Sequence, residues 1–134
     1  MELDRPLPHP LAPEAKPYWE GLKQGKLMLP ECQDCRKTHF YPRVFCPHCH
    51  SRNIKWIEAS GRGKLYAFEI LHRSFNPAVK TPLPYVLALI ELDEGPRMLS
   101  NLVNVKPDPT VIRCDMPVKV VFTKLNENFT LPFF

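Results

Sequence analysis

From about residue 60 to the C-terminus, segments rich in aliphatic and aromatic residues follow one another, separated by turn residues, and in residues 116–125 apolar and polar positions alternate with the two-residue period of a β-strand. The clearest strand is the nearly continuous apolar run at residues 84–92, and residues 93–95 (Asp-Glu-Gly) form a turn that joins it to the next strand as a hairpin. On pattern alone, this region predicts an OB-type barrel or a small sandwich. The five predicted strands are residues 63–75, 84–92, 97–105, 116–125 and 129–134.

Before residue 60 the pattern predicts one short helix and a few short strands. Pro17 suits the first turn of a helix, Tyr18, Trp19 and Leu22 share one face of it, and Gly25 is expected to end it. Tyr18 and Trp19 are large enough to need burial, either in the core of this chain or against a partner. Short strands are predicted at residues 26–32, 39–45 and 53–59.

Four of the five cysteines form two Cys-x-x-Cys pairs, Cys32 with Cys35 and Cys46 with Cys49. Two intervening residues allow a tight turn to point both sulfurs at one ion, at about 2.3 Å for zinc. Four protein ligands fill a tetrahedral site completely, so the pattern predicts structural zinc rather than a catalytic metal. Iron held by the same four sulfurs and two disulfides remain as alternatives.

The remaining metal-binding side chains are interpreted as bystanders. His39, His48 and His50 lie near the cysteine pairs, but four well-spaced cysteines make a histidine ligand unnecessary. Cys114 stands alone and is interpreted as a small packing residue. The chain has no glycine-rich phosphate loop, G-x-S-x-G or H-E-x-x-H motif, so we assign it no catalytic residue.

Composition adds a compartment and a charge distribution. The N-terminal MELDRPLPHP lacks the pattern of an export signal, and no apolar stretch reaches 18 residues, so we expect a cytoplasmic protein without a membrane span. The net charge is +4, but residues 36–80 hold nine basic and two acidic side chains, a net charge of +7. Such a zone attracts phosphates, either of nucleic acid or of a nucleotide cofactor.

The order of these motifs resembles a known family. It consists of the helix YWEGLKQGKL, the ribbon CQDC…CPHC, a W-x-x-x-S-G-R-G segment at residues 56–63 and the strand pair PYVLALIELDEGPRMLSNLV. Over residues 17–134 the chain is similar to bacterial and archaeal acyl-CoA-associated proteins with a rubredoxin-like zinc ribbon and a C-terminal OB-fold. The proline-rich N-terminus has no counterpart in this resemblance.

The resemblance implies a mostly β protein with a short N-terminal helix, a four-cysteine zinc ribbon and a five-stranded OB-fold barrel. Three parts are expected: a proline-rich arm (1–16), the helix and ribbon (17–60) and the barrel (61–134). It also implies a non-catalytic accessory subunit that stabilises an acyl-CoA enzyme and helps to form its acyl-CoA site. The expected partner is a thiolase, including the benzoylsuccinyl-CoA type of anaerobic aromatic degradation, with hydratases and retro-aldolases as alternatives.

Two sets of residues are candidates for this role. Cations of the basic zone are candidates for the phosphates of a coenzyme A thioester, although a cation of this kind is more often an ordinary surface residue; they are Arg62, Lys64, Arg73 and Lys80. Aromatic side chains of the helix and of the loop after the first barrel strand are candidates for the partner interface; they are Tyr18, Trp19, Phe75 and Tyr85.

A nucleic-acid-binding module is the alternative from a different class. Zinc ribbons and OB barrels both bind nucleic acid, and Tyr66 and Phe68 on the first barrel strand could stack on bases. The charge balance argues against it, because the pI is about 8.9 and few cations follow residue 81.

Overall fold

The computed structural model describes residues 12–134, so most of the predicted arm lies outside the described residues. A single 3-10 turn, Pro13–Ala15, leads into helix α1, Lys16–Lys23. Pro17 occupies the first helical turn, where a missing N–H costs nothing. Gly25 ends the helix with a φ of 73°, a left-handed conformation that glycine adopts without a steric penalty. The predicted short helix is confirmed.

Eight strands follow the helix. Their bounds are β1 Met28–Cys32, β2 Ile54–Glu58, β3 Arg62–Leu71, β4 Tyr85–Leu92, β5 Arg97–Leu102, β6 Pro117–Lys119, β7 Val121–Lys124 and β8 Thr130–Phe133. The strand predicted at residues 39–45 is wrong: Pro42 has no N–H to donate, and the ribbon loop makes only one isolated bridge, between Glu31 and Thr38.

The strands form a small ribbon sheet and a curled barrel sheet. β1 pairs with β2 antiparallel, and the barrel strands run in the order β5-β4-β3-β6. The predicted strand 116–125 is interrupted at Val120, whose N–H donates to the Gly61 carbonyl at 2.7 Å, so it is present as β6 and β7. β7 pairs with β8, and Phe134 then exchanges backbone hydrogen bonds with Asn101 and Val103 beside β5. This closure selects the OB-type barrel over the sandwich.

One hydrophobic core connects the helix, the ribbon and the barrel. Alternate residues of β4 are buried, as its two-residue period requires. They pack in the same cluster as Tyr18 and Leu22 of α1 and as Leu27 and Leu29 of the ribbon. Burying an aliphatic side chain of this size contributes about 1.5–3 kcal/mol. The ribbon is therefore fixed to the barrel by shared burial. Among residues 12–134 no helix is long and apolar enough to cross a membrane.

Candidate metal centre and adjoining cleft

The two cysteine pairs adopt the same backbone conformation. In each pair the carbonyl of the first cysteine, Cys32 or Cys46, accepts a hydrogen bond from the N–H four residues later, at 2.9 Å. The donors, Arg36 and His50, have φ angles of 63° and 64°. Left-handed backbone is uncommon for residues other than glycine, so its occurrence at equivalent positions indicates two matching metal-binding turns.

The structure brings the four predicted sulfurs together. The Sγ atoms of Cys32, Cys35, Cys46 and Cys49 all lie within 4.8 Å of one another. The Cys32–Cys49 and Cys35–Cys46 sulfur distances are 3.5 and 3.7 Å. A tetrahedron with zinc–sulfur bonds of about 2.3 Å has edges of about 3.8 Å. The donor set and its dimensions therefore fit zinc, and all five cysteines are free rather than paired as disulfides.

The electrostatics of the sulfurs also favour a cation. The backbone N–H of Cys35 points towards Cys32 and lowers the pKa of that thiol to about 7. The N–H of Ser51 favours the thiolate of Cys49, but the neighbouring sulfurs, with burial, outweigh it and raise the pKa of Cys49 to about 12. One thiolate forms readily, whereas four at this spacing repel each other. A bound zinc ion supplies the positive charge that four adjacent thiolates require.

Asp34 connects the two halves of the ribbon. Its carboxylate accepts hydrogen bonds from the Ser51 hydroxyl and, at 3.4 Å, from the Asn53 side-chain amide. These bonds, that of Ser51 first, hold the pKa of Asp34 below its usual value. The carboxylate thereby holds the turn of the first cysteine pair against the segment that follows the second.

No histidine belongs to the sulfur cluster within residues 12–134. His48 and His50 are exposed, and the His50 ring lies edge-on to Phe45 with centroids 6.1 Å apart. The interpretation of Cys114 as a packing residue is wrong, because this cysteine is exposed on the barrel. His39 is the exception among these residues, because it is buried at the boundary between the ribbon and the barrel.

The four predicted phosphate-binding cations do not form one cluster. Arg62 and Lys64 lie at the start of β3 and, with Lys119, line a groove of about 380 Å³. Arg73 and Lys80 lie in the loop that follows the other end of β3. Seven residues of strand between position 64 and the end of β3 span about 23 Å, at about 3.3 Å per residue. The two pairs are therefore at opposite ends of the strand.

The four predicted interface aromatics differ in exposure. Tyr18 is only 3% exposed. It is therefore buried in the core of this chain rather than available to a partner. Burial, followed by the nearby Tyr41, raises the pKa of its hydroxyl. Trp19 is half-buried and donates its indole N–H to the Tyr41 hydroxyl at 3.0 Å. Phe75 is 83% exposed, and Tyr85 is half-buried beside a small apolar cleft of about 150 Å³.

A larger cleft lies between the ribbon and the β4–β5 turn, and the sequence pattern does not predict it. Its volume is about 660 Å³. Its walls come from residues 36–40, 43, 47–48 and 94–97. The Thr38 hydroxyl donates to the Glu94 carbonyl at 2.8 Å across the boundary. No local periodicity indicates that these two segments meet. The charged side chains and histidines that line it are Arg36, Lys37, His39, Arg43, His48, Glu94 and Arg97.

Both parts of the chain match known protein families. Residues 19–55 match the family described as the ChsH2 rubredoxin-like zinc ribbon domain, and residues 56–123 match the ChsH2 C-terminal OB-fold domain. The chain belongs to the ChsH2 family of zinc-ribbon and OB-fold proteins. The resemblance seen in the sequence is confirmed.

The relatives of this ChsH2-family chain include subunits of several enzymes. It is 36% identical over 128 residues to a probable enoyl-CoA hydratase alpha subunit of Thermomonospora curvata, covering 95% of this chain but only 39% of that protein. It is 32% identical to a DUF35 domain-containing scaffold protein of Methanocaldococcus jannaschii, covering 82% of this chain and 77% of that one. A benzoylsuccinyl-CoA thiolase subunit of Geobacter metallireducens is 25% identical, covering 84% of this chain and 66% of that subunit.

A solved structure agrees with this family in fold and in sequence. A chain of a complex described as "Ltp2-ChsH2(DUF35) aldolase" superposes with a TM-score of 0.81 at 32% identity. The match covers 94% of this chain and 96% of that one. ChsH2-family proteins similar to this chain thus include subunits of hydratase, thiolase and aldolase complexes.

Proposed function

We propose that this chain is a non-catalytic accessory subunit of an acyl-CoA-processing complex, whose partner makes or cleaves a carbon–carbon bond and is most simply a thiolase. The observation that carries the proposal is the match to one chain of the aldolase complex, which covers 94% of this chain and 96% of that one at 32% identity. The subunit stabilises the partner and helps to form the acyl-CoA site, and the chemistry belongs to the partner.

The metal centre supports an accessory role. A catalytic zinc site keeps one coordination position open for water or substrate, whereas a site with four protein ligands is closed. Here four thiols converge on one point, and two of them, Cys32 and Cys46, are completely buried. Zinc in this site holds the ribbon in shape and has no position left for a thioester.

The identity of the partner rests on the relatives. The similarity to the thiolase subunit of Geobacter metallireducens favours a thiolase as the partner. The benzoylsuccinyl-CoA thiolase reaction is our specific candidate. The aldolase complex favours a related enzyme that cleaves a carbon–carbon bond. A hydratase partner is the second candidate, favoured by the 36% identity to the hydratase alpha subunit. In that relative the matching region is only 39% of the protein.

The loop at residues 72–84 is our candidate for the partner contact. Phe75 in this loop is 83% exposed, and Leu83 is 43% exposed. Exposed apolar side chains on one loop are typical of a protein interface. The Ser74 hydroxyl donates to the Asn76 carbonyl at 2.8 Å and also lies 3.3 Å from the Val79 carbonyl, which gives the loop a defined turn after Phe75. Arg73 and Lys80, on the same loop, remain candidates for coenzyme A phosphates near that interface.

Co-purification tests this proposal. The tagged chain is co-expressed in turn with a thiolase, an aldolase and a hydratase subunit, and each mixture is separated by size exclusion. We expect co-elution with the thiolase or the aldolase. We also expect Phe75→Ser to weaken the complex about tenfold or more, as the loss of a central aromatic anchor does. Val111→Ser, which changes a 48% exposed apolar side chain on another loop, is the control.

The outcomes separate the candidates. Separate elution from all three enzymes contradicts the accessory role. Co-elution with the hydratase alone contradicts the carbon–carbon-bond partner and favours the second candidate. Equal weakening by Phe75→Ser and Val111→Ser contradicts the assignment of the interface to the loop at residues 72–84.

A further inference from the structure

The cleft between the ribbon and the β4–β5 turn has the features of a ligand site. Its volume of about 660 Å³ lies within the range of about 300–1,000 Å³ that is typical of small-molecule sites. One wall belongs to the ribbon and the other to the barrel, and the Thr38–Glu94 hydrogen bond joins them. A ligand bound here contacts both parts of the chain at once.

Two of the four cations around this cleft are available to an anion. Arg36 already lies 3.7 Å from Glu31. Arg97 lies 3.0 Å from Glu91 and also stacks over a tyrosine ring. Lys37 and Arg43, by contrast, are exposed and have no carboxylate partner among residues 12–134. These two side chains present unneutralised charge to the cleft, and cations of this kind bind phosphate oxygens strongly.

Two buried groups on the cleft have unused hydrogen-bonding capacity. His39 is 3% exposed, and neither of its ring nitrogens has a partner within the described part of the chain. Oε1 of Glu94 is also buried without a partner there, whereas its Oε2 accepts the Ser60 N–H at 3.0 Å. An unpaired buried polar group costs about 1–3 kcal/mol, so such groups usually serve a ligand or water.

These two groups determine what else the ligand must carry. Burial, followed by the nearby charges of His48 and Arg43, lowers the pKa of His39 and so disfavours the charged form of the ring. A neutral imidazole offers one donor and one acceptor. The Glu94 oxygen is only an acceptor, and it repels a simple anion. A ligand that satisfies the cleft therefore combines an anionic group with a hydrogen-bond donor such as an amino group.

We propose that this cleft binds the phosphates and the amino-bearing base of a nucleotide of the adenosine diphosphate type. Lys37 and Arg43 hold the phosphates, the base amino group donates to Glu94 Oε1, and His39 bonds to the base or the ribose. The nucleotide can come from coenzyme A, which carries such a group, or from a free nucleotide. Only the choice of coenzyme A as a source rests on the proposed function.

Calorimetric titration of the full, zinc-loaded chain tests this site. The probes are adenosine diphosphate, coenzyme A, inosine diphosphate, which has an oxygen in place of the base amino group, and pyrophosphate. We expect adenosine diphosphate to bind more tightly than the last two. The double variant Lys37→Ala/Arg43→Ala is expected to weaken its binding about tenfold or more, since charge-assisted bonds to phosphate are strong. The exposed ribbon pair Arg52→Ala/Lys55→Ala removes the same charge away from the cleft and is the control.

Each outcome bears on the proposal. Binding of adenosine diphosphate with a shift of the His39 ring resonances supports the site, and equal binding of coenzyme A points to that source. Equal weakening by both double variants overturns the site, because it indicates general charge attraction. Pyrophosphate or inosine diphosphate binding as tightly as adenosine diphosphate overturns the roles of His39 and Glu94. No binding of adenosine diphosphate at millimolar concentration overturns the whole proposal. The proposed accessory function is tested separately, by co-purification with a partner.

Discussion

Cys46→Ser is expected to abolish zinc binding and to unfold the ribbon between β1 and β2. Cys46 is fully buried, its sulfur lies 3.7 Å from that of Cys35, and its backbone bonds to Ser51 and His50 organise the second turn. The ribbon sheet has only two five-residue strands. Structural zinc contributes about 10–16 kcal/mol in zinc-finger peptides, and a whole domain is stable by about 5–15 kcal/mol. Loss of zinc through removal of one sulfur ligand therefore costs more free energy than the remaining contacts of the ribbon can supply.

Metal analysis and thermal unfolding of the purified chain measure this effect. We expect close to one zinc per chain in the parent and close to none in Cys46→Ser, with a large fall in the unfolding temperature. Cys114→Ser is the matched control, since this cysteine is exposed and outside the sulfur cluster. A Cys46→Ser protein that keeps its zinc and its unfolding temperature contradicts the structural role of the metal. A visible absorbance spectrum of the same preparation separates zinc from iron, because iron bound to thiolates absorbs visible light and zinc does not.

Gly63→Ala is expected to destabilise the barrel at the point where the ribbon joins it. A Cβ atom at this position would lie 2.4 Å from the backbone oxygen of Glu91. Gly63 is buried and pairs with Leu92 on one side and with Val118 on the other, so β3 cannot move away from either neighbour. Because a backbone atom cannot rotate aside, we expect a loss of about 3 kcal/mol or more, at the upper end of the cost of overpacking.

Urea unfolding of the zinc-loaded chain measures this loss. The matched control is Glu69→Ala, an exposed position on the same strand β3, for which we expect a change within about 0.5 kcal/mol. An unchanged unfolding midpoint for Gly63→Ala would show that β4 can shift at Glu91, which contradicts the tight junction described here. A fall of similar size in both variants would assign the effect to strand propensity rather than to the close backbone approach.

Features with strong local patterns were predictable from the sequence. The apolar run at residues 84–92 corresponds to β4, Tyr85–Leu92, and the turn after it forms the expected hairpin with β5. The cysteine spacing predicted the set of sulfurs that the structure brings together. In both cases the chemistry lies within a few consecutive residues, so a period or a spacing is sufficient.

Features that depend on distant contacts were not predictable in the same way. Residues 39–45 have the composition of a strand, but no described strand pairs with them, and the isolated bridge of this loop lies just before them, at Thr38. The sequence shows that helix α1 is amphipathic. Only the fold shows that Tyr18, on its apolar face, packs against Phe40 and Tyr41 of this chain. The cleft arises because the ribbon meets the β4–β5 turn, more than 50 residues away from Thr38. Such encounters are set by the shared core and not by any segment alone.

Reconstitution of the partner enzyme tests the central claim most directly. The partner that co-purifies is assayed for kcat/KM towards its acyl-CoA with and without this chain, and the chain is assayed alone. We predict that the chain alone has no activity and that its addition raises the kcat/KM of the partner. We also predict that the zinc-free Cys46→Ser variant fails to do so. Turnover by the chain alone, or full activity and stability of the partner without it, would contradict the account.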